Sequence, residues 1–150
     1  MDENRVDNLS SQYIVVNVGI EQYGIDIGYV DNIVRMQKIT RVPKAQEFFK
    51  GVINLRGEII PVMSIRTKFN LDDDVYTDKT RIIILKPEQQ QQDKIGILVD
   101  SVKEVVSLEA SNIEKIHSDG RDELSRYITS VGKNQGNLIS LLNINGVIEV

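Results

Sequence analysis

The chain has 150 residues, of which 41% are apolar and 27% charged, and its formal net charge is -4. This composition is typical of a globular domain. The acidic balance, the lack of tryptophan and the few other aromatic residues argue against a nucleic-acid-binding protein. The chain has no cysteine, which excludes disulfides, and no apolar run approaches the roughly 20 residues that span a bilayer.

The polar segment at residues 1–12 lacks the apolar stretch of a signal sequence, so we expect a cytoplasmic protein with no direct membrane insertion. The first predicted strand covers residues 13–20 and is apolar on both faces, so both faces must be covered. In a chain this small, that pattern suggests a strand shared between two cores. Residues 23–27 alternate apolar side chains with Gly24 and Asp26 and predict the return strand of a hairpin.

The segment after this hairpin has a mixed pattern. Val30, Ile33 and Val34 have helical spacing, which fits either one or two turns of helix or a bend into a further strand. Pro43 can begin a short helical stretch, and Gly51 can end it. Both alternatives for residues 30–34 stay open, and a short helical stretch is expected after Pro43.

Two apolar strands follow, at residues 52–55 and 58–65, and Arg56 and Gly57 form the tight turn between them. Pro61 lies inside the second strand. Because proline has no N–H to donate, it indicates a position at a sheet edge or at a bulge. The pattern predicts a second hairpin with a two-residue tip.

The region at residues 70–80 carries four aspartates but lacks the ligand spacing and the turn glycine of a calcium loop. We therefore predict a solvated connector and no metal site. Beyond it, the second half of the chain supplies further short strands. They are expected at residues 81–85, 94–99, 102–108, 127–132 and 137–142.

The two halves of the chain resemble each other. Residues 23–34 match residues 95–106 at an offset of 72, and residues 57–65 match residues 136–144 at an offset of 79. Both matches keep glycine on glycine and occur in the same order, which chance rarely produces. A duplicated unit points to a scaffold with paired surfaces and less readily to one active-site cleft. With many short strands, it predicts an all-β protein of small barrels.

The sequence shows no catalytic or metal-binding motif. His117 is the single histidine, and without cysteine or a second histidine it cannot complete a zinc site, so we place it in a polar loop at residues 110–122. Neither the G-x-x-x-x-G-K-[ST] phosphate loop nor the G-x-S-x-G nucleophile turn is present. We expect no enzyme activity and no cofactor.

The run at residues 51–62, G-V-I-N-L-R-G-E-I-I-P-V, closely resembles the signature of the CheW family of bacterial chemotaxis. Residues 23–33, residues 39–43 and residues 96–105 resemble the same family. The pieces follow the family's order over residues 13–144, and the N-L-R-G-x-x-I-P-V run is the specific one.

The resemblance implies two five-stranded SH3-like barrels packed side by side, with a few short helices. In the family, the N-terminal strand joins the C-terminal half of the chain. One subdomain is therefore expected at residues 18–84, and the other at residues 1–17 with 85–150. The resemblance also implies a stand-alone, non-catalytic adaptor that links the cytoplasmic tip of methyl-accepting chemoreceptors to the regulatory domain of the histidine kinase CheA in signalling arrays.

The same resemblance implies two sets of contact residues. Arg56, on a rigid turn, can reach acidic or amide groups of a receptor helix, although a solvated turn residue is the alternative. Asn54 fits a receptor contact or a local turn bond equally well, and core packing is the alternative for Ile33. For Gly96 the alternative is a purely structural role, because its counterpart in the first copy of the repeat is also a glycine. The receptor set is Val30, Ile33, Asn54, Arg56 and Gly57, and the kinase set is Gly96, Val99 and Val102.

Two other interpretations stay open. A CheW homologue serving another chemosensory pathway, such as pilus motility or second-messenger control, would share the motif. An oligonucleotide-binding small barrel is the second, and the net charge and scarce aromatic residues argue against it. Ser64 departs from the family, because many members carry aspartate there, and this affects a local hydrogen bond and not the assignment.

Overall fold

The computed structural model describes residues 10–86, 93–116 and 124–149. These residues form eleven strands in two sheets, with short helices between them, so the predicted all-β class is confirmed. His117 and the glutamine-rich stretch at residues 89–92 lie outside the described residues. The prediction that His117 lies in a polar loop therefore stays a prediction.

The strands are β1 (Ser10–Val18), β2 (Glu21–Asp26), β3 (Val30–Arg35), β4 (Phe49–Leu55), β5 (Glu58–Ser64), β6 (Arg81–Leu85), β7 (Ile95–Val99), β8 (Ser101–Glu109), β9 (Ile113–Lys115), β10 (Ile128–Asn134) and β11 (Asn137–Leu142). The described α-helices are short: α1 (Ile65–Lys68), α2 (Leu124–Tyr127) and α3 (Ile144–Ile148). Two 3-10 turns lie at Ile27–Tyr29 and Ala110–Asn112.

Each sheet belongs to one compact unit. The first unit contains a six-stranded sheet in the order β8-β1-β2-β11-β10-β9, and the second contains a five-stranded sheet in the order β3-β6-β7-β5-β4. The chain passes from the first unit to the second after Gly28 and returns after Val102. This division corrects the expected boundaries at residues 18 and 84. The reason is that β2 pairs with β1, and β7 pairs with β6, before the chain crosses.

The sequence repeat explains why the two sheets share one strand order. The segment β8-β1-β2-β11-β10 of the first sheet corresponds to β3-β6-β7-β5-β4 of the second. The first two strands of each repeat lie in one sheet, and its remaining strands lie in the other. Each sheet is therefore completed by strands from both halves of the chain.

Unbroken β-branched runs form the strands that are covered on both faces. Residues 82–85 of β6 and all of β7, Ile95–Val99, are buried, as expected for strands with no solvent face. Residues 14–16 of β1 are also buried in succession, which confirms that its two faces are both covered. The core of the second unit contains Ile53, Ile60, Val62, Ile82, Ile84 and Leu98, and that of the first contains Val15, Val106, Leu108, Ile139 and Leu141.

The segment between β3 and β4 is not helical, so the predicted helix after Pro43 is wrong. A further strand starts at Val30, which is one of the two alternatives that the sequence allowed. The segment is tied to β4 by Thr40 and Val52, whose backbone N–H groups each donate to the other's carbonyl oxygen, at 2.9 and 2.8 Å. Beyond Thr40, turns at residues 43–44 and 47–48, and not a helix, lead into β4.

Pro61 lies in a central strand and not at a sheet edge, because β5 is flanked by β4 and β7. It faces Val52, whose N–H and carbonyl groups both bond to Thr40 on the opposite side. The pairing of β5 with β7 begins one residue later, at Val62. Proline is therefore tolerated because neither neighbouring strand requires its missing N–H at this position.

The predicted connector is not simply solvated, because side chains of the α1 region hold it. Ser64 is fully buried, and its hydroxyl accepts from the N–H of Thr67 at 3.1 Å and donates to the carboxylate of Asp74 at 2.5 Å. The Ser64 hydroxyl thus caps α1. The local hydrogen bond that the departure placed in doubt is present.

Arg66 is the second link to the connector. Its Nη2 and Nε atoms lie 2.6 and 3.1 Å from the two carboxylate oxygens of Asp100, and Nη1 donates to the carbonyl oxygen of Asp72 at 3.2 Å. The hydrogen bond to Asp100 raises the pKa of Arg66 above its ordinary value. Because Asp100 lies between β7 and β8, this forked ion pair fixes the point where the chain leaves the second unit.

We expect Gly51→Ala to destabilise the protein by about 3 kcal/mol or more, and Gly136→Ala by only about 1–2 kcal/mol. Both glycines have positive φ, 142° and 84°, but a methyl group at Gly51 would lie 2.1 Å from the carbonyl oxygen of Thr40. At Gly136 it would meet no atom within 4 Å. Urea unfolding of both variants measures the difference, and equal losses would contradict this account of Gly51.

Candidate interaction surface

The predicted receptor residues other than Ile33 gather at one edge of the five-stranded sheet. Strands β3, β5 and β7 run in one direction, while β4 and β6 run in the other. The starts of β3, β5 and β7 therefore lie at the same edge as the tip that joins β4 to β5. We call this region the turn edge, and it comprises Val30, Asp31, residues 54–58 and Lys94.

The tip of the turn edge is a rigid two-residue turn. Leu55 pairs with Glu58, and between them Arg56 and Gly57 have φ values of 55° and 86°. Two successive left-handed residues define the type I′ turn that suits the twist of a hairpin. Asn54 stabilises this turn, because its side-chain oxygen accepts from the N–H of Gly57 at 2.9 Å. The local role is thus the one observed for Asn54.

Arg56 is exposed at this tip. Within the described residues, its side chain makes no hydrogen bond or ion pair. A methyl group at the neighbouring Gly57 would meet no atom within 4 Å, so nothing in the described chain overhangs the turn. The guanidinium is therefore held on a fixed backbone and remains open to a partner.

Lys94 joins the two sides of the turn edge. Its ammonium lies 3.3 Å from a carboxylate oxygen of Asp31, in β3, and 3.3 Å from one of Glu58, in β5. The hydrogen bond to Asp31 and, to a smaller extent, the one to Glu58 raise the pKa of Lys94 above its ordinary value. Sequence reasoning missed this bridge because its three residues are far apart in the chain and become neighbours only in the sheet.

Val30 and Ile33 both lie in β3, although at different degrees of exposure. Val30 is half-buried opposite Leu85, and Ile33 opposite Ile83 is 37% exposed. A bulge between Val30 and Asn32 leaves Asp31 without a paired residue on β6. Val30 and the bulge belong to the turn edge, whereas Ile33 lies farther along the strand.

The predicted kinase residues do not form one surface. Gly96 and Val99 are buried, and Val99 is 2% exposed, so neither offers atoms for direct contact. A methyl group at Gly96 would lie 2.7 Å from a methyl group of Ile82, which favours the structural role considered for this glycine. Val102, the second residue of β8, is half-buried and is the accessible member of the set.

The first unit carries a tip with the same backbone as the turn edge. Gln135 and Gly136 have φ values of 52° and 84° and join β10 to β11. An exposed apolar residue follows each tip at the equivalent position, with Ile59 at 59% and Leu138 at 64% exposure. The repeat thus conserves the shape of the tip and changes its charge from arginine to glutamine.

A cleft of about 870 Å³ opens in the second unit between residues 36–50 and Tyr76. Val42 and Tyr76 in this cleft are 47% and 50% exposed. Sequence reasoning did not find it, although the density of cations in residues 38–50 was a visible signal. Its charged lining residues are Lys38, Arg41, Lys44, Glu47 and Lys50.

The described residues contain no group of three or more His, Cys, Asp or Glu side chains placed to hold a metal ion. No helix in the described parts of the chain has both the length and the apolar character needed to cross a membrane. The features that stand out there are two exposed hairpin tips and one basic cleft.

Comparison with known proteins assigns the family. The CheW-like domain model matches residues 12–150. The chain is 32% identical to the chemotaxis protein CheW of Klebsiella aerogenes over 92% of this chain and 81% of that one. It is 32% identical to CheW of Bacillus subtilis over 91% of this chain and 85% of that one.

A solved structure agrees with the sequence relatives. The scaffolding protein TtCheW from Thermoanaerobacter tengcongensis superposes with a TM-score of 0.84 at 30% identity, over 95% of this chain and 94% of that one. This agreement confirms the fold class and also the resemblance found in the sequence. The chain belongs to the CheW-like family of chemotaxis scaffold proteins.

We expect Asn54→Ala to loosen the tip of the turn edge at a cost of about 0.5–1.5 kcal/mol, because the N–H of Gly57 loses its acceptor. Amide hydrogen exchange at Gly57 should accelerate. Lys133→Ala is the matched control, since Lys133 occupies the equivalent position in the first unit and pairs with Leu138 as Asn54 pairs with Ile59. Unchanged exchange at Gly57 would show that Asn54 does not stabilise the turn.

Proposed function

We propose that this chain is a cytoplasmic, non-catalytic coupling protein that links methyl-accepting chemoreceptors to the histidine kinase CheA. Membership of the CheW-like family supports the general role. The observation that carries the receptor contact is the exposed Arg56 on a rigid type I′ turn, without an ion-pair partner among the described residues.

A fixed tip suits recognition of a receptor helix. The backbone of Arg56 is already ordered by the turn and by the Asn54 bond, so binding costs less conformational entropy there. The guanidinium is planar and has five donors, which match the carboxylate and amide groups of a polar helix surface. A receptor helix that presents acidic or amide side chains is the partner that this tip fits.

Val30 supplies the apolar part of the proposed contact. It is half-buried at the turn edge, so a helix laid against the edge would cover its remaining surface. Gly57 adds open space beside Arg56, where no described atom would meet even a methyl group. We place Ile33 at the periphery of the contact, because it is 37% exposed but lies farther along β3.

The kinase contact is proposed at Val102, on the strand where the chain returns to the first unit. Gly96 and Val99 would support this surface only from within, through the packing of β7. The same geometry serves a CheW homologue in another chemosensory pathway, and the identity of the bound receptor and kinase distinguishes the two.

We expect Arg56→Glu to weaken binding to a soluble receptor fragment by about 2 kcal/mol or more, because the change reverses the charge at the centre of the contact. Isothermal titration calorimetry measures the affinity, and circular dichroism reports the fold. Gln135→Glu is the matched control, because it adds a carboxylate at the equivalent tip of the first unit. Equal receptor affinity for Arg56→Glu and the unchanged protein would refute the proposed contact.

We expect Val102→Glu to weaken binding of the CheA regulatory domain more than binding of the receptor fragment. A carboxylate on a half-buried strand position would have to be desolvated at an apolar contact. Val105→Glu serves as the control for charge in the same strand, since Val105 is 51% exposed. If the receptor fragment lost more affinity than the kinase domain, Val102 would not belong to the kinase surface.

A further inference from the structure

The carboxylate of Glu58, in the same hairpin as Arg56, can compete with the receptor for the Arg56 guanidinium. Glu58 follows Arg56 by two residues and is the first residue of β5, with its side chain 52% exposed. Guanidinium and carboxylate groups form strong forked ion pairs, so a free Glu58 carboxylate beside the tip would attract Arg56. Such a pair would neutralise the guanidinium that the receptor is proposed to contact.

In the structure, the Glu58 carboxylate is paired with Lys94 and not with Arg56. The Lys94 ammonium lies 3.3 Å from Glu58 and equally far from Asp31, while Arg56 has no ion pair within the described residues. Asp31 is the unpaired residue of the β3 bulge, so its carboxylate is available to hold the ammonium from the other side. Two carboxylates thus keep Lys94 in place between β3 and β5.

The first unit offers a natural comparison, because its tip carries no arginine. The equivalent of Arg56 there is Gln135. By the offsets of the repeat, the positions of Lys94, Asp31 and Glu58 are taken in the first unit by Gln22, Lys103 and Asn137, respectively. No acidic residue therefore follows that tip, and no cation stands at the position of Lys94. The lysine and its two carboxylates therefore accompany the arginine tip and are missing where the arginine is missing.

We propose that Lys94 is a positioning residue for Arg56, which occupies the Glu58 carboxylate and so leaves the Arg56 guanidinium available to the receptor. This inference rests on the proposed receptor contact. Lys94 acts through Glu58 and does not itself touch the partner. Removal of Lys94 therefore harms binding only while the Glu58 carboxylate is present.

The test uses receptor-fragment affinity for single and double variants of the full chain at low salt. Lys94→Gln should bind several-fold more weakly, and Lys94→Arg should bind as the unchanged protein does. The double variant Lys94→Gln/Glu58→Gln should recover the lost affinity, because the competitor has become neutral. Lys79→Gln is the matched control, since it removes one positive charge from an exposed residue just before β6, at the opposite end of the sheet, and should have little effect.

A double variant as weak as Lys94→Gln alone would overturn the proposal, because Lys94 would then contact the receptor directly. Unchanged affinity of Lys94→Gln would overturn it too. A measurement without partner separates this inference from the proposed function. The NMR signal of the Arg56 Nε–H group should shift in Lys94→Gln and return in the double variant. If that signal does not move, the competition is absent, even where Arg56→Glu abolishes receptor binding.

Discussion

Two short parallel ladders hold this fold together, because each joins strands from different repeats. In the second unit, β5 lies parallel to β7 through pairs that begin at Val62 and Gly96. In the first unit, β11 lies parallel to β2 through pairs that include Leu141 and Gly24. Both ladders contain a glycine where an added methyl group would lie 2.7 Å from a neighbouring side chain. The absence of a side chain at these two positions is what allows the strands to pack.

The parallel ladder of the second unit also creates the turn edge. Because β5 and β7 start at the same edge, the residue before β7 lies beside the tip that precedes β5. Lys94 and Glu58 are 36 residues apart in the chain and meet only through this pairing. The chemistry of the surface is therefore a product of the topology, and a local hairpin alone would carry Arg56 without the lysine beside it.

The sequence predicted features that depend on local pattern. The tip at Arg56 and Gly57 and the burial of β1 on both faces follow from turn chemistry and alternation, and the structure confirms both. The helix predicted after Pro43 was wrong, because turns at residues 43–44 and 47–48 lead directly into β4. The burial of Val99 and the Lys94 bridge could not be read from sequence, since strand order determines which residues become neighbours.

The boundaries of the two units also depend on strand order and could not be predicted from the local sequence pattern. The repeat in the sequence is real, but its copies are not the folded units, because each copy sends its later strands into the other sheet. Duplication is visible as a periodic pattern, whereas the exchange of strands depends on where the chain crosses. The pairings of β2 with β11, of β7 with β5 and of β3 with β6 reveal it, because each joins strands from different copies.

Proteolytic cleavage within the connector at residues 70–80 would therefore have an unusual result. The N-terminal fragment would keep β1 to β5 and the C-terminal fragment β6 to β11, so each sheet would be divided between two polypeptides. Neither fragment would have a complete core by itself, and each would complete the other when mixed. After cleavage the two fragments would therefore form a heterodimer, whose stability would depend on protein concentration.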